Sequence, residues 1–196
     1  LEKDWRKIYP LSVGLILTVP MTEMNPSQAV YKGMKHAGIN FVTSVPCVNL
    51  QELFQLIDSD SEIVHVPVTR EEEGVGICAG AYVGGKRPAL IMQNSGLGNS
   101  INALASLDFL YHIPLLMIIS HRGGKGETIV GQVPMGQLSP KLLNAMSIIQ
   151  FSPSVEEAEK AEKIEETIVQ AMDLSNKTGR AAAVLLDIEF WGGGRR

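Results

Sequence analysis

Runs of residues with almost no polar member constrain this chain most. "PALIMQ" (88–93), "PLLMIIS" (114–120) and "AAAVLLD" (181–187) each follow ten or more residues of helical pattern. A strand that is apolar throughout cannot face water on either side, so it belongs in the middle of a sheet covered by helices on both faces. "INFVTSVP" (39–46), "EIVHVPV" (62–68) and "SIIQF" (147–151) supply further strands. Helical patterns lie between them at 25–38, 49–58, from the glutamates at 71–73 onward, at 99–110, near 139–146 and at 154–173. Residues 121–138 read as a long polar loop. The expected fold is α/β: an open, doubly wound, mostly parallel six-stranded sheet with helices on both faces. Ligands of such sheets collect beyond the carboxyl ends of the strands. Those ends here are "SVPCVN", "VTREEE", "MQNSGLGN" and "SHRGGKG", polar or glycine-rich where the opposite connections are plain.

Composition removes several function classes. The net charge is −4 and the basic residues are scattered, with no stripe to follow a nucleic acid. The apolar run from Leu11 to Val19 is too short to span a bilayer, which needs ~20 residues, so no membrane partner is expected. Cys47 and Cys78 lack CxxC spacing and read as reduced packing residues of a cytoplasmic protein. Residues 1–24 are taken as an N-terminal extension, 25–190 as one α/β domain, and 191–196 ("WGGGRR") as a flexible tail.

"VTREEEGVGICAGAYVGG" (68–85) sets three glutamates at a helix start and then fills the helix with glycine, at a cost of roughly 1 kcal/mol per glycine against alanine. Helical periodicity lines Glu72 up with Gly76, Gly80 and Gly84, beside an apolar arc of Val75, Cys78, Ala79 and Tyr82. A bare face of that kind admits another backbone or a flat ring. Glu71 and Glu73 point to either side of it and read as solvated carboxylates favoured by the helix dipole. Spacing alone leaves Glu72 equally compatible with burial and with solvent.

Other stretches are less specific. In "QNSGLGNSIN" Gly96 and Gly98 let the chain turn sharply so that helix amides face an anion or a polar ring, or else mark a tight turn and nothing more. His121, Arg122 and Lys125 share a loop at a strand end, where an arginine can grip an anion through two parallel hydrogen bonds or simply stay solvated. His36, His65 and His112 have no companions at metal-ligand spacing and read as structural.

The segment "REEEGVGICAGAYVGGKRPALIMQNSGLGNSINALASL" resembles the pyrimidine-binding domain of thiamine-diphosphate enzymes. Within that superfamily it is similar to sulfopyruvate and phosphonopyruvate decarboxylases, and "SVPCVNL", "MQNSGLGN" and "SHRG" resemble the alpha subunits of the former. The family motif is a glutamate followed ten residues later by tyrosine, which Glu72 and Tyr82 match. The resemblance therefore implies that Glu72 hydrogen-bonds the N1′ nitrogen of the aminopyrimidine and favours its imino form, from which decarboxylation of a 2-oxo acid proceeds. It also implies cofactor contacts at Asn94, Gly96, Gly98 and Asn99, and substrate contacts at Asn49, His121, Arg122, Lys125 and Gln132. In the superfamily a second domain with a GDG…N motif holds the diphosphate and Mg2+. No GDG occurs in this sequence, so thiamine diphosphate is expected to lie across an interface with a separate beta subunit that carries the metal.

The expected reaction is conversion of 3-sulfopyruvate to sulfoacetaldehyde and CO2, in coenzyme M biosynthesis. The separate-subunit layout is what favours sulfopyruvate over phosphonopyruvate or another small 2-oxo acid. A reading of a different class, a non-catalytic ligand-binding or regulatory module on the same sheet, has no use for a glutamate at the activating spacing.

Overall fold

Asn25 opens the first helix: its side-chain oxygen accepts from Gln28 N at 2.9 Å, and Pro26 sits in the first turn, where a missing N–H costs nothing. The computed structural model describes residues 25–124, 126–153 and 160–192. The elements run α1 (Pro26–His36), β1 (Phe41–Ser44), α2 (Gln51–Asp58), β2 (Val64–Pro67), α3 (Glu71–Val83), β3 (Pro88–Gln93) and α4 (Ser95–Ala103, continued as π-helix over Leu104–Phe109). Then follow β4 (Leu116–His121), α5 (Val133–Ala145), β5 (Ile149–Phe151), α6 (Ala161–Thr178) and β6 (Ala182–Asp187).

The six strands form one parallel sheet in the order β2-β1-β3-β4-β6-β5. The three apolar runs are its centre. Leu90 stands beside Met117, and Ile118 beside Val184. Alternate residues feed two cores. Ile91, Ile118 and Val184 join Val30, Met34, Leu53, Ile57 and Ile168 on the side of α1, α2 and α6. Leu90, Met92 and Met117 join Val75, Leu97 and Leu143 on the side of α3, α4 and α5. β2 and β5 are edges and stay partly exposed, which is why their sequences carry His65 and Gln150.

Three boundaries differ from the sequence expectation. α5 starts at Val133, with Pro134 in its first turn, so the polar stretch after β4 is shorter than expected. α4 begins at Ser95, directly after the strand, so Gly96 and Gly98 are helical residues and not a turn. Trp191 is not part of a loose tail: its Nε1 donates to Leu186 O at 3.1 Å, and its ring packs on the first core and edge-on against Phe190. Residues 1–24, 154–159 and 193–196 lie outside the described residues.

Candidate active site

Arg70 is extended, and α3 starts at the next residue with all three carboxylates in its first turn. Their fates differ. Glu73 is exposed and accepts from Thr69 Oγ1 at 2.8 Å, a bond that holds its carboxyl below the usual range. Glu71, expected in solvent, is instead buried: its Oε2 accepts from Asn99 Nδ2 at 3.0 Å, and a β-carbon at Gly96 would fall on its side chain. Glu72 is half-buried. Its Oε1 accepts from Arg70 Nε at 2.6 Å, while its Oε2 is buried without a hydrogen-bond partner among the described residues.

The glycines of α3 do two jobs. Gly74 lets the helix press on the sheet, since a β-carbon there would stand 2.9 Å from Leu90 Cδ1 and from Thr43 Oγ1. Gly76 and Gly80 border open space, with nothing within 4 Å of where a β-carbon would be. Val75, Cys78 and Ala79 are buried as expected, but Tyr82 is 38% exposed and lies with exposed Val83 in the last turn. A buried carboxylate oxygen left unbonded is costly. An orphan acceptor at the head of a helix with bare glycine positions fits a flat nitrogen heterocycle, and Glu72 is the group that would hold it.

Asn94 is fully buried, and its amide is consumed inside the chain: Nδ2 donates to Arg122 O and Ser139 Oγ, and Oδ1 accepts from Arg122 N at 2.9 Å. It clamps the end of β4 to the end of β3, with both of its amide N–H groups spent within the chain. Asn99 is turned toward Glu71, as above. The expected anion-binding turn is thus a helix start packed under α3.

Arg122 is likewise not the open anion grip its position suggested. Its Nε and Nη2 donate to Glu127 at 2.7 and 2.8 Å, and Glu127 also accepts from the amides of Gly123 and Ile129. The Arg122 guanidinium, first, then the two amides hold the Glu127 carboxyl down to about 2, against the cost of its burial. His121 Nε2 lies 2.9 Å from Gly136 O. Lys125 lies outside the described residues. The loop closes backbone on backbone: Gly123 has φ +84°, and a side chain there would run into the carbonyl of Gln132. Gly123→Ala is expected to lower stability by ~2 kcal/mol or more, read by urea unfolding; an unchanged midpoint would show that the crossing is loose.

Beyond the strand ends a polar cluster does form. Asn49 Nδ2 donates to Ser120 Oγ at 3.2 Å, and Gln93 Nε2 donates to Gln132 Oε1 at 3.1 Å and to Ser95 Oγ at 3.0 Å. Cys47 Sγ stands 3.7 Å from Gln93 Oε1. Asn49 and Gln132 were expected here; Cys47, Gln93 and Ser120 were not. Gln93 and Ser120 are register partners, and each is the first polar residue after an apolar run, a signal the sequence did carry.

His65 and Cys78 read as structural. His65 bridges Asp58 Oδ1 at 2.6 Å and Ser44 Oγ at 2.7 Å and stacks on Phe54, but Ser44 is buried and offers no open nucleophile. Burial pushes the Cys78 thiol up to about 12, so it stays protonated. Among the described residues no helix is long and apolar enough to cross a membrane, and no three His, Cys, Asp or Glu gather as a metal site.

Comparison with known proteins adds four likenesses. Residues 24–147 match the family described as thiamine pyrophosphate enzyme, N-terminal TPP binding domain. The chain is 52% identical over 169 residues to a sulfopyruvate decarboxylase subunit alpha of Methanothermobacter thermautotrophicus, covering 86% of this chain and 99% of that one. It is 37% identical to a sulfopyruvate decarboxylase of Methanosarcina acetivorans over 79% of this chain but only 39% of the relative. Among solved structures, 2-oxoglutarate:ferredoxin oxidoreductase from Magnetococcus marinus shares the fold, with a TM-score of 0.65 at 18% identity over 85% of this chain and 29% of that one.

Proposed function

We propose that this chain, which belongs to the thiamine pyrophosphate enzymes and within them to the sulfopyruvate decarboxylase alpha subunits, supplies the pyrimidine-activating half of a decarboxylase site. The reaction is release of CO2 from 3-sulfopyruvate to leave sulfoacetaldehyde. The observation that carries this reading is the orphan Glu72 Oε2, buried at the head of the glycine-bearing helix.

Bound thiamine diphosphate supplies the electron sink for the departing carboxylate. With the cofactor bound, Glu72 Oε2 would share a proton with the N1′ nitrogen of the pyrimidine. Arg70 donates to Oε1 and leaves Oε2 as the oxygen that would face the ring. Asn49, Ser120, Gln93 and Gln132 form the polar end of the site and orient the acid by hydrogen bonds, in place of the arginine grip that Glu127 takes up. A separate beta subunit holds the diphosphate and Mg2+, and the assembled protein works in the cytoplasm, where Cys47 and Cys78 stay free.

Subunit layout favours sulfopyruvate, as the sequence suggested, since the matched segment is only 28% and 24% of the two phosphonopyruvate decarboxylases it resembles. Layout is not decisive alone, because the Methanosarcina sulfopyruvate decarboxylase is also much longer than the segment this chain matches. Identity of 52% over nearly the whole of a sulfopyruvate decarboxylase alpha subunit also favours the sulfonate. Co-expression with a partner subunit should give thiamine-diphosphate- and Mg2+-dependent CO2 release from sulfopyruvate, well above that from phosphonopyruvate, and none from this chain alone. No turnover of either acid by the assembled pair would leave a binding module as the better account.

A further inference from the structure

Glu71 is the one buried carboxylate of the triplet, and the activating role proposed for its neighbour leaves it unexplained. Burying a carboxylate is expensive unless it is bonded, and this one is bonded across a helix junction. Its Oε2 accepts from Asn99 Nδ2 in the first turns of α4, while the rest of the carboxyl group lies over Gly96, where no side chain is possible without displacing it. The starts of α3 and α4 meet here, and two helix N-termini favour negative charge at this spot.

We infer that Glu71 is a positioning residue for Glu72: its bond to Asn99 fixes the rotation of α3 about its own axis and so aims the neighbouring carboxylate. Successive helical residues differ by about 100°, so locking one side chain against α4 sets the direction of the next. The helix is pinned on the sheet side as well, where Gly74 sits against Thr43 and Leu90. Arg70 is largely exposed and anchors Glu72 less firmly than a buried contact would. Glu71 and Gly74 lie one turn apart on the same buried face of α3, so the two contacts together resist rolling of the helix and set the direction in which Glu72 Oε2 points. This inference rests on Glu72 being the activating group.

The test uses the assembled enzyme and reports rates per assembled site. Three quantities are read: kcat, the dissociation constant of thiamine diphosphate by calorimetry, and the rate at which the C2 proton of the bound cofactor exchanges with D2O. Glu71→Ala should lower kcat and C2 exchange together by roughly 10- to 100-fold, the scale of a small misplacement, with cofactor affinity within about threefold. Glu71→Gln keeps an acceptor for Asn99 and should stay within about threefold of wild type. Asn99→Ala should match Glu71→Ala, and the double variant should lose no more than either single one. If Glu71→Ala does not fold, Asn99→Ala, on an exposed residue, carries the test alone.

A contact that only ties helices together would cost thermal stability or assembly yield and leave kcat per site unchanged, which would overturn the inference. So would a loss confined to cofactor affinity, since Asn99 would then be a direct cofactor contact. Failure of the underlying reading looks different: Glu71→Gln abolishes turnover while Glu72→Gln does not.

Discussion

Glu72→Gln is expected to reduce decarboxylation by at least about 100-fold, the usual scale for removing a group that shares a proton with the reacting system, while leaving the fold and the partner contact in place. Glutamine has the shape of glutamate and retains an oxygen for Arg70 Nε. It puts an NH2 where the structure has the orphan Oε2, and an amide cannot exchange a proton with a ring nitrogen. The loss of charge at the helix start costs only about 0.3–1 kcal/mol, so unfolding should shift little. Rate and stability therefore separate cleanly in this variant, which they would not for a carboxylate whose role was structural. The C2 proton exchange of bound cofactor should fall with the rate. Turnover within a few-fold of wild type would remove Glu72 from the chemistry, and the function proposed here would have to be rebuilt around another group.

What was legible in the sequence follows from which forces act along the chain and which act across it. β3, β4 and β6 could be read because a strand covered on both faces must be apolar at every position, and that demand is local. The line of Glu72, Gly76 and Gly80 was legible for the same reason, being a matter of helical spacing. The fate of a polar side chain is settled by what stands opposite it, often far off in sequence. Asn94 looks like a ligand residue in a glycine-rich segment, yet it spends its amide on the backbone of Arg122 and on Ser139. Arg122 looks like an anion grip, and only the closed loop through Gly123 and Gly126, both at positive φ, brings Glu127 round to claim it. Glu71 and Glu73 are indistinguishable as letters; one meets α4 and the other meets water.

Asp108 should make the chain less stable as the pH rises from about 4 to about 7, the reverse of what a paired carboxylate does. It lies in the π-helical continuation of α4, fully buried, with neither oxygen bonded among the described residues. Burial alone raises its pKa from 3.8 to about 7. The folded state therefore holds the proton more tightly than the unfolded chain does. The neutral acid is tolerated at low pH, and this tolerance is fully present below the unfolded value, near 4. From there upward the unfolded chain gains by ionising while the folded one cannot follow, until the pH passes about 7. A rise of about three units corresponds to as much as ~4 kcal/mol, reduced by whatever relaxation the site permits. Asp108→Asn keeps the shape and removes the titration. Its stability relative to wild type, from urea unfolding at several pH values, should climb between pH 4 and pH 8 by ~2–4 kcal/mol and then level off. A difference that stays flat across that window would mean that Asp108 ionises freely where it sits, with solvent or a cation reaching it through the π-helical turn.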